Sequence, residues 1–320
     1  PITANNPMGV HHAWGRTYKD LFARFRTMQG YRQRYQNGFD GQGLWIEVEV
    51  EKELGFSSKT DIETYGVDKF VTLCKERVDR FAEIISNQSI RLAQWMHWDD
   101  SYHTKSDENN YTIWHFLKTC HERGLLYEGT DVMPWCPRCS TGLSEHEIVT
   151  EGYLEITHPG LFVKFPVKES SNSKSANESL LIWTTTPWTL PGNLALTINE
   201  NLTYELITIE HGGSKNIIVA KDLVEQTMER ISCENYKVLG STEGKDLLGL
   251  KAKHPYLSRD SVILSGEHVT TETGTGVVHT APGHGLEDYS VAMENGLDIL
   301  SPVKGNGTFS DEVEHLAGMF

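Results

Sequence analysis

The sequence predicts an α/β protein. In its first half strands alternate with long amphipathic helices; in its second half short strands form a small β-barrel with helices attached. Three observations carry this reading. Apolar residues recur at helical spacing from Ala13 to Gln29 and again from Asp61 to Trp95. Short β-like runs ending in Asn and Gly turns precede and separate these segments. From Leu161 onward the texture changes to brief alternating runs broken by Gly, Asn and Ser.

At 320 residues the chain is long enough for two domains with good cores. Hydrophobic residues make up 38% and charged residues 23%, a globular balance. No apolar run approaches the ~20 residues of a membrane span, and no secretory leader is read, so no membrane partner is expected. The chain opens at Pro1 in what reads as mid-strand, which leaves room for an upstream address. Cys74, Cys120, Cys136, Cys139 and Cys233 are odd in number and mostly isolated, which suits a reduced, cytoplasmic setting better than a disulfide framework. A net charge of −15 argues against a generic phosphate-backbone binder, although a large enzyme can concentrate basic surface locally.

In chain order, a strand end and an Asn/Pro turn lead through Gly9-Val10-His11-His12 into the first helix. There Trp14, Tyr18, Leu21, Phe22, Phe25 and Met28 recur at three- and four-residue steps, and Gly30 closes the helix. The free N–H groups and dipole of that helix start form a seat for phosphate, to which imidazoles can donate; paired surface histidines are the plain alternative. Tyr31 to Tyr35 reads as a strand, followed by the glycine-flanked Asp40, a carboxylate where α/β sheets bind ligands and also a natural Asx turn. In Asp61–Trp95, Val67, Phe70, Val71, Cys74, Val78, Phe81 and Ile84 form a core stripe. Ser106 caps a further helix in which Trp114, Leu117 and Cys120 are expected to face inward.

Cys136-Pro137-Arg138-Cys139 is the metal candidate: two thiolates in a tight knuckle can share a tetrahedral Zn²⁺. No second Cys-x-x-Cys follows; His146 and His158 are nearby substitutes with unusual spacing, and a redox use lacks the βαβ context. Beyond Leu161, Ser170 to Ser179 reads as a polar surface loop. Leu202–Ile209 and Ile217–Ala220 form a hairpin about His211-Gly212-Gly213-Ser214, and Asp222–Ile231 is a short helix. In Trp183-Thr184-Thr185-Thr186-Pro187-Trp188-Thr189-Leu190-Pro191-Gly192-Asn193, a buried strand carries three threonines whose hydroxyls alternate between its faces. Such a segment can grip a sugar hydroxyl or ester oxygen and position a water; an edge strand of β-branched surface residues is the plain reading. Finally, Gly274-Thr275-Gly276 precedes a strand with His279, a glycine-rich bend with His284, and a helix start bearing Glu287 and Asp288.

The threonine stretch resembles the editing domain of the isoleucyl-tRNA synthetase family, whose valine and leucine sisters usually carry Thr-Thr-Arg-Pro there. The resemblance covers essentially the whole chain. Gly9-Val10-His11-His12 is similar to the ATP-binding His-Ile-Gly-His of class I synthetases, with Gly9 in place of its first histidine and His11 in place of its glycine. Asp40 matches the aspartate that holds the substrate ammonium in Gly-Trp-Asp-Cys-His-Gly-Leu, and Gln42 stands at its histidine.

What the resemblance implies follows from these matches. Residues 1–130 are the first half of a Rossmann-like catalytic domain, 131–155 a zinc-knuckle connector, and 156–320 an editing domain incomplete at its C-terminal end. Activity is ATP-dependent charging of tRNA(Ile) with isoleucine, using Mg²⁺, plus hydrolysis of misplaced valine from valyl-tRNA(Ile). Asp288 holds the ammonium of the ester substrate; Thr184, Thr185 and Thr186 hold the terminal adenosine and ester. His279 limits side-chain size, and Trp188 and His284 complete the pocket. A second sieve is known from this very family, because one missing methylene yields only ~1–3 kcal/mol of discrimination. Cys136 and Cys139 are half of a zinc site whose second pair falls after Phe320. The parent enzyme is expected to be a monomer, and this chain its amino-terminal part, without the Lys-Met-Ser-Lys-Ser-type loop. The alternatives are a valine-type synthetase, disfavoured by Trp183 to Trp188, a non-catalytic tRNA-binding module, and a zinc-ribbon nucleic-acid binder.

Overall fold

A computed structural model describes residues 1–148, 154–168, 178–209 and 215–320, with the side chains of His146 and Lys215 left aside. The chain divides into two compact units, Pro1–Gly129 and Thr130–Phe320. Among the described residues no helix is long and apolar enough to cross a membrane.

The first unit is built on three parallel strands in the order β1 (Ile2–Thr3), β2 (Gln36–Asp40), β3 (His97–His103). Helix α1 (Val10–Met28) crosses from β1 to β2, and α2 (Leu44–Leu54), α3 (Lys59–Tyr65) and α4 (Val67–Arg91) cross from β2 to β3; α5 (Asp107–Glu122) follows. Parallel neighbours require such crossovers. The core is small: Ala4, Phe39, Ile46, Val78, Ala82 and Ile85 form one cluster, Val50, Ile62 and Phe70 another. Gly38 faces Tyr102 across the ladder, and a Cβ there would lie 2.3 Å from the ring, so the glycine lets the Tyr102 ring lie over β2.

Four expectations are corrected in this unit. The strand is Gln36–Asp40, not Tyr31–Tyr35, so Asp40 ends the strand rather than following it. The single long helix is broken at Gly66, whose φ of 109° is open to glycine and costly for other residues, and it stops at Arg91. The apolar stripe of α1 is not buried: Trp14, Tyr18, Leu21, Phe22, Phe25 and Met28 are each more than half exposed. The helix is seated instead through the opposite face, where buried Asp20 accepts Trp95 N–H at 2.7 Å and pairs with Arg24. In α5, Ser106 caps as expected by accepting Asn109 N–H, but Trp114 is exposed and no residue of the helix is fully buried. Three strands offer too little sheet surface to cover both helices.

The second unit begins with the two-residue strands β4 (Trp135–Cys136) and β5 (Thr141–Gly142), then α6 (Glu145–Ile148). The strands described after it are β6 (Leu161–Pro166), β7 (Glu178–Thr184), β8 (Ala195–Ile198), β9 (Thr203–Ile209), β10 (Lys215–Ala220), β11 (Tyr236–Glu243), β12 (Lys251–Lys253), β13 (Asp260–Ser265) and β14 (Val277–Thr280). Helix α7 (Val224–Arg230) lies between β10 and β11, and α8 (Leu286–Glu294) follows β14. The strands form a five-stranded sheet, β11-β9-β10-β7-β6, and a four-stranded sheet, β12-β13-β8-β14. Both are mixed, since β10–β7 and β13–β8 run parallel. Leu180 and Ile182 of β7, Ile207 of β9 and Ile217 of β10 share one core with Leu196 of β8, Ile263 of β13 and Val277 of β14.

The expected closed barrel is not present among the described residues. Edge strands β6 and β12 meet near a single bridge, Val167 to Ala252, whereas the other edges, β11 and β14, share no pairing. The hairpin strands β9 and β10 pair antiparallel with Ile209 opposite Lys215. The turn at His211–Ser214 lies outside the described residues, as does most of the polar loop read at Ser170–Ser179.

Candidate functional site

In the first unit the loop after β1 and the start of α1 carry Gly9, Val10, His11 and His12. Gly9 caps the helix with its carbonyl accepting His12 and Ala13 N–H, and no side chain caps it. His11 and His12 lie against each other, Nε2 to Nε2 at 3.1 Å, and both are exposed. Partial burial, then the neighbouring His11 and Arg16, push His12 below the usual imidazole range, so the ring is neutral at pH 7. A Cβ at Gly9 would meet the exposed His11 ring at 2.8 Å, so a larger residue there would displace that ring.

The two histidines line two cavities. One, about 520 Å³, adds Arg16, Lys19, Asn37 and Tyr102. The other, about 640 Å³, adds Asn5, Asn6, Pro7 and Trp45. Arg16 and Lys19 are one and two helical turns further along the same face, a cationic extension that sequence reasoning missed although the spacing from His12 could have shown it. Among the described residues no carboxylate lines the first cavity, so a Mg²⁺ there would arrive on phosphate oxygens rather than on protein ligands. Asp40 sits at the carboxyl end of β2, where open α/β sheets take ligands. Its Oδ1 accepts Gln42 N–H at 3.1 Å and the Thr104 hydroxyl at 3.3 Å, while Thr104 Oγ1 accepts Gly41 N–H. The Asx turn is thus real, and it aims the carboxylate. Gln42 reaches back to Thr104 O at 3.4 Å.

The knuckle forms as the sequence suggests. Cys139 N–H points at Cys136 Sγ, 3.4 Å away, and the Arg138 guanidinium reaches Cys139 Sγ. Among the described residues, however, no group of three or more His, Cys, Asp or Glu is assembled. His158 is used elsewhere, edge-on to Trp188 with ring centroids 5.5 Å apart. Two thiols do not fill a tetrahedral zinc shell, so the residues described do not by themselves fit a closed site.

The second unit gathers most of the remaining candidates. Strand β7 ends at Thr184, not beyond Thr186: Pro187 has no N–H to continue the ladder, and Thr186 N–H turns to Thr184 Oγ1 at 3.1 Å. The chain then enters a 3-10 turn, Pro187–Gly192. Thr184 is buried and Thr185 and Thr186 are exposed; Thr184 and Thr186 hydroxyls lie 3.3 Å apart. Trp188 is 48% exposed at the turn's outer side.

Thr189 points inward, and its hydroxyl donates to Thr186 O at 2.8 Å. Its single proton is therefore spent, so the 2.8 Å contact with His279 must be Nε2–H donating to Thr189 Oγ1. Asn193 Nδ2 faces His279 Nδ1 at 3.4 Å, which requires Nδ1 to accept. Asn193 Nδ2 also donates to Ala195 O, and its Oδ1 accepts the Ser261 hydroxyl. The chain of bonds fixes His279 as a neutral Nε2–H imidazole. Burial first, then His284 and His254, push its pKa down to about 4. Thr189, Asn193 and Ser261 are the residues sequence reasoning did not assign; only Asn193, in the Pro-Gly-Asn turn, carried any signal.

Asp288, in the first turn of α8, is half-buried and accepts Ala281 N–H at Oδ2, 2.9 Å, two residues beyond His279. Burial raises its carboxyl pKa, opposed by the Ala281 bond and by His268. Glu287 is exposed. His284 is brought against Gly192: a Cβ there would meet its ring at 3.0 Å. Its Nε2 is buried with no hydrogen-bond partner among the described residues, and burial lowers its pKa. Contacts thus bring Thr189 to His279, Gly192 to His284 and Ala281 to Asp288 about one end of β14, while Thr184 and Thr186 lie against each other and Trp188 is half exposed.

Residues 1–246 match the family described as tRNA synthetases class I (I, L, M and V). The chain is 38% identical over 326 aligned positions to an isoleucine–tRNA ligase of Streptomyces avermitilis, and 40% over 324 to isoleucine–tRNA ligase 2 of Bacillus cereus; both matches take in 100% of this chain. Against the isoleucine–tRNA ligase of Methanocaldococcus jannaschii it is 39% identical over 315 positions, 93% of this chain. The chain spans 30% of the length of each of these relatives. Among solved structures, the P. falciparum cytosolic leucyl-tRNA synthetase editing domain aligns with 37% of this chain and 48% of its own at 14% identity, with a TM-score of 0.33.

Proposed function

Because the chain belongs to the class I tRNA synthetase family, we propose that it is part of an isoleucine–tRNA ligase whose second unit hydrolyses valyl-tRNA(Ile). The bonded chain from Thr186 through Thr189, His279 and Asn193 to Ser261, with Asp288 beside it, is the observation that carries this reading. In the parent enzyme ATP with Mg²⁺ activates isoleucine, and the first unit supplies half of that site. His11, His12, Arg16 and Lys19 take the phosphates, and Asp40 takes the amino-acid ammonium. The expected division at 1–130, 131–155 and 156–320 follows the same reading, as does a cytoplasmic location, supported by five free cysteines. Cys136 and Cys139 would supply two of four zinc ligands in the full enzyme.

A water attacks the carbonyl carbon of the ester linking valine to the terminal ribose. Negative charge develops on the carbonyl oxygen, and the C–O bond to the ribose breaks as the ribose oxygen takes the proton that the attacking water gives up. Asp288 holds the α-ammonium by a charge-assisted bond through Oδ1, since Oδ2 is engaged by Ala281. The exposed hydroxyls of Thr185 and Thr186 face the ribose and the water. His279 is a wall, not a base: both of its nitrogens are engaged and it is only 8% exposed. A neutral, rigid imidazole sets the pocket depth, which valine clears and isoleucine does not.

The test uses valyl-tRNA(Ile) and isoleucyl-tRNA(Ile) with the full 320-residue chain. Selective loss of the valyl ester, abolished by Asp288→Ala, is expected. Equal loss of both esters from a folded chain, or an unaffected Asp288→Ala variant, refutes the assignment.

A further inference from the structure

The 3-10 turn Pro187–Gly192 is short and poor in backbone donors, because Pro187 and Pro191 lack N–H groups. At its two ends Thr189 N–H reaches Thr186 O and Asn193 N–H reaches Leu190 O. Two of its carbonyls are also met from outside, by the loop between β12 and β13. His254 Nε2–H donates to Leu190 O at 2.9 Å. Its Nδ1 accepts Leu257 N–H at 3.0 Å and Tyr256 N–H at 3.4 Å, which leaves Nε2 as the protonated nitrogen and gives the bond its direction. The ring is 5% exposed and is packed edge-on between Phe165 and Tyr256. Arg259, anchored by its backbone to His254 and Leu257, donates Nη2–H to Pro191 O. Two consecutive carbonyls of the turn are therefore gripped by two side chains of one loop.

We propose that His254 and Arg259 are positioning residues that hold the turn in its site-forming shape, with Thr189 against His279 and Trp188 at the rim. The proposal rests on the reading of this unit as a hydrolytic site for its consequence in rate, but not for the clamp itself. Neither residue touches the ester. Each acts through the turn: if Leu190 O is released, Thr189 leaves His279 and the pocket wall loses the partner that fixes its ring.

The experiment labels the full chain with 5-fluorotryptophan and assigns the Trp188 ¹⁹F resonance by its disappearance in Trp188→Phe. His254→Ala and Arg259→Leu are expected to shift and broaden that resonance with the circular dichroism unchanged. His254→Gln, which keeps a donor toward Leu190 O, is expected to restore it. On valyl-tRNA(Ile), the first two variants lower kcat about ten- to hundredfold with KM moved less than about twofold, and His254→Gln recovers most of the loss. A folded His254→Ala variant whose Trp188 resonance matches the parent overturns the clamp. So does a His254→Gln variant no better than alanine in both readouts. Should His254→Ala fail to fold, Arg259→Leu and His254→Gln decide the matter by the same resonance. A parent chain that does not hydrolyse the ester, yet shows the Trp188 shift on loss of His254, sinks the hydrolytic reading and supports the clamp.

Discussion

Acid offers a direct probe of His279. Its ordinary pKa of 6.5 falls to about 4 in the folded chain, chiefly through burial and then through His284 and His254. A histidine with a depressed folded pKa binds its proton more readily when unfolded. At pH 7 both states are neutral and the group costs nothing. As pH falls through 6.5 the unfolded imidazole charges while the folded one stays neutral, so stability is lost progressively until about pH 4. A gap of about 2.5 pKa units at 1.36 kcal/mol each gives a loss of about 3 kcal/mol across that window. The assay is urea unfolding of the parent and of His279→Gln at several pH values between 7 and 4, with the imidazole resonances followed by NMR. The parent is expected to lose stability relative to the glutamine variant by about that amount, and the His279 signal to remain that of a neutral ring above pH 5. A His279 resonance titrating near its ordinary value, or two stability curves falling in parallel, refutes the derived tautomer and its hydrogen-bond chain.

Asp288→Asn keeps an acceptor for Ala281 N–H but removes the charge; valyl ester hydrolysis is expected to fall about ten- to hundredfold in a deacylation assay, with the thermal midpoint unchanged or slightly raised because a half-buried charge is gone. Gly192→Ala drives a methyl to 3.0 Å from the His284 ring; hydrolysis is expected to slow while urea unfolding shows a loss of about 1–2 kcal/mol. Gly66→Ala places a side chain at φ 109° and 3.1 Å from Asp68 Oδ1, and calorimetry is expected to show the first unit destabilised by about 1–3 kcal/mol. Ile207, fully buried where both sheets meet, is expected on change to Ala to cost about 2–5 kcal/mol, seen as a lower urea midpoint for the second unit.

How far the sequence could be read depends on whether a residue's neighbours in space are also its neighbours in the chain. The helix start at His11–His12, the Asx turn at Asp40, the cysteine knuckle and the Asp288 helix start all depend on a few consecutive residues, and they were legible. So was β7, because three successive buried residues, Leu180 to Ile182, declare a strand covered on both faces. The α1 stripe misled because periodicity reports that a face is apolar, not that the unit holds anything to cover it; a three-stranded sheet does not. The barrel failed for a related reason. Alternation reveals strands but not which edges pair, and closure would have required β11 to meet β14.

The site shows the same division in sharper form. Thr184 to Thr186, His279 and Asp288 stand in recognisable strings, whereas the groups that fix their states do not. The protonation of His279 is set by Thr189, 90 positions away, and by Asn193, 86 away. The turn that presents Thr189 is held by His254, 64 positions from Leu190. A lone histidine before Pro255 carries no local mark of that task. The string names the groups proposed to meet the ester; their tautomers and positions are decided by side chains with no chemistry of their own to announce. Replacing His254 should therefore impair the proposed site as much as replacing a residue of the recognised string, although its bonds run to the turn and its own loop.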